Sequence, residues 1–206
     1  MEIPQLITQQ GEGAVASYSY TDILESTGVV NFYMGYAGAT KVLSSSRFYS
    51  GTSYNSETIA NSATAVKEID LDFDVLINKS MTVKGTCIAS VPTMITRSNG
   101  TIVSYVVVYL RKWDGVTETD LASGASVSFS TAATAWKNQS AFLSVPTTNF
   151  KKGEYLRATI EGWAQVADDN NVLRVGTDPM GVLDATWTST TIAPTSIIGV
   201  PFRIDL

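Results

Sequence analysis

The chain has 206 residues, 44% of them hydrophobic and 16% charged, which is the balance of a folded domain and the reverse of a disordered one. Its net charge is −5, from 14 Lys and Arg against 19 Asp and Glu, so it lacks the clustered basic excess that nucleic-acid phosphates require. It holds no histidine and one cysteine, Cys87, which excludes Ser-His-Asp and Cys-His nucleophilic chemistry and any disulfide within the chain.

Residues 1–15, with Gln5, Gln9, Gln10, Gly11 and Gly13, show no clear period and read as an extended N-terminal arm. Met1-Glu2-Ile3-Pro4 has neither a basic nor an apolar signal region, so the expectation is synthesis and folding in a cytoplasm. No apolar run approaches the ~20 residues that span a bilayer, so no membrane partner is expected.

From there two-residue alternation dominates. Val29, Phe32, Met34 and Tyr36 mark a strand between Gly28 and Gly38, with residues 41–49 as its partner across a turn. Residues 50–66 are polar without a strong period and read as a long surface loop. The clearest strand is 68–75, with Ile69, Leu71, Phe73 and Val75 on one face and Asp70, Asp72 and Asp74 on the other. Asn78-Lys79-Ser80 turns the chain into a strand over 81–91. Ser98-Asn99-Gly100-Thr101 turns it into another over 102–113. Asp114-Gly115 predicts a two-residue hairpin.

Strands follow over 126–130, 141–145 and 154–167, the last broken by Gly162. Asp168-Asp169-Asn170-Asn171 and Asp178-Pro179-Met180-Gly181 are turns, and 197–206 is a closing strand. The helix signals are single turns at 21–25 and 132–137, too short to cross over parallel strands. About eight to ten strands joined by turns predict an all-β fold, an antiparallel two-sheet β-sandwich of jelly-roll type. The arm would be followed by one such domain over 16–206. Its core should include Ile69, Leu71, Phe73, Val75, Val106, Val108, Leu110, Leu156, Thr159 and Phe202.

The residues that could carry chemistry each have a plainer reading. Asp70, Asp72 and Asp74 stand roughly 6.5–7 Å apart, suited to Ca²⁺ if other elements added oxygens, or to a solvated face paired with Lys and Arg. Asp168-Asp169-Asn170-Asn171 is half of a Ca²⁺ loop or simply a turn. Glu154 and Glu161 are the candidates for a carboxylate pair, Glu161 the better, beside Gly162-Trp163. Cys87, between Thr86 and Ile88, reads as a small core residue. Glycines are scattered at turns and form no phosphate loop. Trp113 and Trp163 lie in strand patterns and read as core or core-rim. Trp136 and Trp187, in stretches of small residues, are candidates for an interface or ligand groove. The expectation from this set is no cofactor, no metal and no catalysis.

One stretch carries a resemblance. Phe150-Lys151-Lys152-Gly153-Glu154-Tyr155-Leu156-Arg157-Ala158-Thr159-Ile160-Glu161-Gly162-Trp163 resembles an F-x-x-G-[DE]-x-L-R-x-T-[IV]-E strand of virion structural proteins of aquatic tailed phages. Gly28-Val29-Val30-Asn31-Phe32-Tyr33, Gly176-Thr177-Asp178-Pro179 and the closing Val200-Pro201-Phe202-Arg203-Ile204-Asp205-Leu206 resemble their other motifs. The resemblance implies a jelly-roll capsid cement or decoration protein, located in the virion, forming a homotrimer and bound to the major capsid protein. Ile3, Leu6 and Ile7 of the arm, with Trp136 and Trp187, are then the interface candidates. The alternative left open by the aromatic residues is a carbohydrate- or receptor-binding module at the head of a fibre or tail.

Overall fold

The computed structural model describes residues 16–17, 27–47, 54–177 and 195–203. These form thirteen strands and no helix: β1 (Ala16–Ser17), β2 (Thr27–Ala37), β3 (Thr40–Ser44), β4 (Tyr54–Thr58), β5 (Ser62–Leu76), β6 (Met81–Thr96), β7 (Ile102–Trp113), β8 (Glu118–Ala125), β9 (Phe129–Thr131), β10 (Ala135–Phe150), β11 (Tyr155–Val166), β12 (Val172–Gly176) and β13 (Ile197–Arg203).

The strands build the expected all-β, jelly-roll-like sandwich of two sheets. In the first, β10 lies along one edge of β6 from Ala135↔Ile95 to Phe150↔Met81. The other edge of β6 is shared by β13 and β12, which lead on to β2 and β4. In the second, β5, β11, β7 and β8 follow in order, with β9 beside the start of β7. The β2–β3 hairpin carries the chain from one sheet to the other, where β3 meets β5 in a single parallel pair, Val42↔Asp74. All other strand pairings are antiparallel.

Alternation puts one apolar side of each strand into a common core. On β7, Ile102, Val106, Val108 and Leu110 are buried while Tyr105, Tyr109 and Arg111 face out. Ile69, Leu71 and Phe73 of β5 and Leu156, Ala158 and Ile160 of β11 join them. Val75 and Phe202, expected in the core, are partly buried against it. Thr159 is buried as expected, but on the outer side, between Asp72 and Arg111.

Two glycines mark where the sheets come closest. A Cβ at Gly162 would lie 3.0 Å from Leu173 and 3.3 Å from Val175 of the opposite sheet. Gly162 therefore does not break β11 as expected; it lets β12 pack close, and the strand runs on through a register shift against β5. At the open edge, β8 lies against β10: a Cβ at Gly124 would sit 2.2 Å from the Phe142 carbonyl oxygen. Buried hydrogen bonds add to this closure. The Ser126 hydroxyl donates to Gln139 (2.6 Å), and the Gln139 amide donates to Thr93 (2.8 Å).

Other local expectations are corrected. The 50–66 stretch holds β4 and the start of β5; their burial is low, so their pairing with β12 and β11, not their own pattern, makes them strands. Residues 132–137 bend into β10 rather than coil, because Ala135 and Trp136 pair with Ile95 and Met94. Strand 41–49 ends at Ser44, and 126–130 shrinks to β9. Strand 141–145 is the middle of the longer β10.

The Asp114-Gly115 turn closes a four-residue loop, not a two-residue one, since Trp113 pairs with Glu118. Gly115 has φ +98, and the Asp114 carboxylate accepts from the Thr117 and Val116 amides. The arm, residues 21–25 and 178–181, and the end of the chain lie outside the described residues.

The loop has a pH consequence. The Thr117 and Val116 amides hold Asp114 below the usual carboxylate range. Burial raises Glu154, but hydrogen bonds from Lys112 and the Lys151 amide outweigh it and leave Glu154 lowered as well. A depressed carboxylate stabilises the fold above its unfolded value, and that contribution is lost as pH falls through the folded one. Urea unfolding at pH 7 and pH 3 should show stability falling with acid, and falling less in the Asp114→Asn, Glu154→Gln double variant. An identical acid response in both proteins would contradict this.

Candidate functional site

The two outer faces of the sandwich differ in kind. The outer face of β5, β11, β7 and β8 is charged and internally paired. Arg157 reaches Asp74 with two nitrogens (2.7 and 2.8 Å), Asp72 at 3.4 Å and Glu118 at 2.8 Å. Its guanidinium is held above its usual range, first by the Asp74 hydrogen bonds, with burial opposing. The same group lies 4.7 Å over the Trp113 ring. Arg111 pairs with Asp120 and Glu118 and donates to Thr159. Lys67 bridges Asp70 (2.7 Å) and Glu161 (3.1 Å), and those carboxylates raise its pKa, Asp70 foremost.

This answers the sequence expectations for the acidic residues. The row Asp70, Asp72 and Asp74 is a solvated face neutralised by Lys67, Arg157 and Arg111. Among the described residues no group of three or more acidic or cysteine side chains is placed to hold a metal ion. Glu154 and Glu161 are not brought together: Glu154 precedes β11 and pairs with Lys112, while Glu161 sits mid-face, opposite Asp70. Glu161 is only 7% exposed, with its second oxygen accepting from Trp163 Nε1 at 3.0 Å. Trp163 in turn stacks on Tyr105, with centroids 6.0 Å apart and planes 6° from parallel.

Trp113 and Trp163 thus lie on the outer face and not in the core, because the inward phase of β7 and β11 falls on the even-numbered residues. In the Asp168–Asn171 turn, Asn170 has φ +63, and the buried Asn171 side chain accepts from the Ser98 and Asn99 amides, tying two turns together. Cys87 is fully buried, and burial pushes its thiol up to about 12.

The outer face of β10, β6, β13 and β2 is the opposite. Phe142, Ile88, Gly199 and Asn31 form one row across the four strands. Phe142 is 63% exposed, Ile88 51% and nearby Val29 37%. Ser140 and Ser90 flank the row on one side, Ser144 and Thr86 on the other, so its centre carries no charge. Of the interface candidates, Trp136 lies half-buried on this face, opposite Met94, which is opposite Arg174. Arg174 lies 5.1 Å over the Tyr54 ring and donates to Thr96. Ile3, Leu6, Ile7 and Trp187 lie outside the described residues.

Sequence reasoning missed Phe142, Ile88 and Val29. The signal was present for two of them: Phe142 stands between the buried Ala141 and Leu143, and Ile88 between the buried Cys87 and Ala89. An apolar residue at the polar phase of an alternating strand must face outward.

No protein-family model matches the chain, and no curated protein sequence matches it significantly. Solved structures do match in fold. A CocE/NonD family hydrolase from Staphylococcus aureus aligns with 93% of this chain at a TM-score of 0.54 and 11% identity. An aminopeptidase from a marine sediment Thaumarchaeota archaeon aligns with 87% at 0.53 and 11%, and an alpha-amino acid ester hydrolase with 84% at 0.53 and 12%. The chain spans 39%, 37% and 36% of those three chains.

The expectation of no catalysis is corrected here. It rested on the missing histidine and the absence of a nucleophile–base pair, yet the fold is shared with three hydrolytic enzymes, so the fold does not set this chain apart from enzymes. At 11–12% identity the likeness is one of fold. No helix among the described residues is long and apolar enough to cross a membrane.

Proposed function

We propose that the chain is a structural subunit of a virion, of the capsid cement or decoration kind, which attaches to the major capsid protein and to further copies of itself by burying protein surface. The observation that carries this reading is the contrast between the two outer faces. One neutralises its charges internally and is finished against water. The other presents Phe142, Ile88 and Val29 among serines and threonines with no charge at its centre, and protein interfaces are likewise depleted of charge at theirs. Trp136 and Arg174, residue types enriched at binding hot spots, lie towards one end of the same face. A homotrimer on the outside of the shell, assembled in the host cytoplasm, is the form the phage-protein resemblance suggests.

Quantitative mass spectrometry of purified particles tests this. Hundreds of copies per particle are expected of a shell subunit. A handful would place it in a tail or fibre, and absence from the particle would overturn the reading.

A second reading, glycan binding, is favoured by one observation on the opposite face: the Trp163–Tyr105 pair beside Lys67, Glu161 and Asp70 combines ring surface with hydrogen-bonding groups. Binding to a glycan array, abolished by Trp163→Ala and kept by Phe142→Ser, would establish it in place of the first.

A further inference from the structure

The face with the uncharged centre contains a groove of about 260 Å³ between β2, β13 and β6. Val29, Ile88 and Ile197 give it apolar walls, and Thr86, Ser90 and Asn31 add hydroxyl and amide groups without charge. Gly199 also lines it, and a Cβ there would come within 3.1 Å of the Asn31 side-chain oxygen and 3.3 Å of Val29. The absence of a side chain at 199 keeps the groove open.

The chain is delivered to this place by β1. Ala16 lies opposite Val30 and Ser17 opposite Val29, whose side chain lines the groove. β1 thus meets the sandwich at β2, about two strand spacings, roughly 10 Å, from β13. The edge of β2 beyond β1 is occupied by β3 from Tyr33 onward. From Ala16 back to Ile7 the chain can span up to roughly 30 Å, ample to reach the groove. Residues 3–11 carry no charge and hold Ile3, Leu6 and Ile7 among Gln and Thr, the same mixture of apolar and neutral polar groups that lines the groove.

We propose that this groove is the seat of the chain's own segment 1–15, with an aliphatic side chain from Ile3, Leu6 or Ile7 over Gly199 and neutral polar groups of the segment against Asn31, Thr86 and Ser90. Tethering favours the same chain over a neighbour, since a short linker holds the segment near the groove at an effective concentration in the millimolar range. The inference stands on the groove and on the register of β1; with the segment seated, Val29 and Ile88 are covered and Phe142 is the apolar residue of this face left for the docking of the virion reading.

A thiol placed in the groove reports its occupancy. Cys87 is buried with a strongly raised pKa, so a Val29→Cys variant carries one reactive thiol. Alkylation by iodoacetamide is expected to be at least tenfold faster in a Val29→Cys chain lacking residues 1–13 than in the full chain. The full chain with Ile3→Ser, Leu6→Ser and Ile7→Ser should match the truncated one, which keeps the test valid if truncation impairs folding. Equal rates in all three proteins would overturn the proposal. Protection in the full chain that grows with protein concentration would also overturn it, by showing that a neighbouring copy fills the groove.

Discussion

Replacing Gly124 by alanine is expected to destabilise the protein by about 3 kcal/mol or more, through backbone displacement and not loss of contacts. An alanine Cβ would stand 2.2 Å from the Phe142 carbonyl oxygen and 2.9 Å from its carbonyl carbon. Both are backbone atoms of β10, fixed by the ladder with β6, so no side chain can swing aside to make room. The result is separation of β8 from β10 at the edge where the two sheets close. For a domain of this length the fall in Tm should be roughly 10 °C. Gly199→Ala is the comparison: its nearest contact is the end of the Asn31 side chain, which can rotate, and it should cost far less. Thermal unfolding of the two variants ranks them; equal stability would mean that the β8–β10 approach is not tight.

Removing the guanidinium of Arg157 has the second largest expected effect. Arg157→Met keeps most of the stem but takes the paired cation from Asp74 and leaves Asp72 and Glu118 with Arg111 alone. The group is mostly covered, its partners less so, and the loss should be about 2–3 kcal/mol. Most of that is the cost of stranded carboxylates, so Asp74→Leu in the same chain should recover a large part. A cycle in which the two changes add without coupling would show that Arg157 contributes only packing on Trp113.

The charged face shows what could be read from the sequence and what could not. Strict alternation from Ile69 to Asp74 identified the strand, its buried side and its acidic side, because a two-residue period has only two faces to choose between. Asp72 and Asp74 find partners as much as 87 residues away, and only the register of β11 and β7 brings Arg157 and Arg111 to them, whereas Lys67 stands on β5 itself, three residues before Asp70. β4 had no apolar pattern to announce it, since an edge strand is held by the backbone of its neighbour. Trp113 and Trp163 were misplaced for a related reason: large aromatics suggest a core, yet the phase of the whole strand, set by Val106, Val108 and Leu110, decides which way they point. Trp136, singled out by its small neighbours, lies half-buried on the apolar outer face. The row Phe142–Ile88–Gly199 exists only after β10, β6 and β13 are laid side by side.

The proposed docking face can be tested without disturbing the fold, because Phe142 is already exposed and lies outside the groove. Particles lacking the protein would be titrated with the wild-type chain, with Phe142→Asp and with Val116→Asp, the last placing the same charge on the exposed β7–β8 loop. Burying an unpaired carboxylate at the centre of an interface should weaken binding by at least tenfold for Phe142→Asp, about 1.4 kcal/mol or more. Val116→Asp should bind like wild type. Wild-type affinity in Phe142→Asp would contradict the claim that this face attaches the protein to its partner.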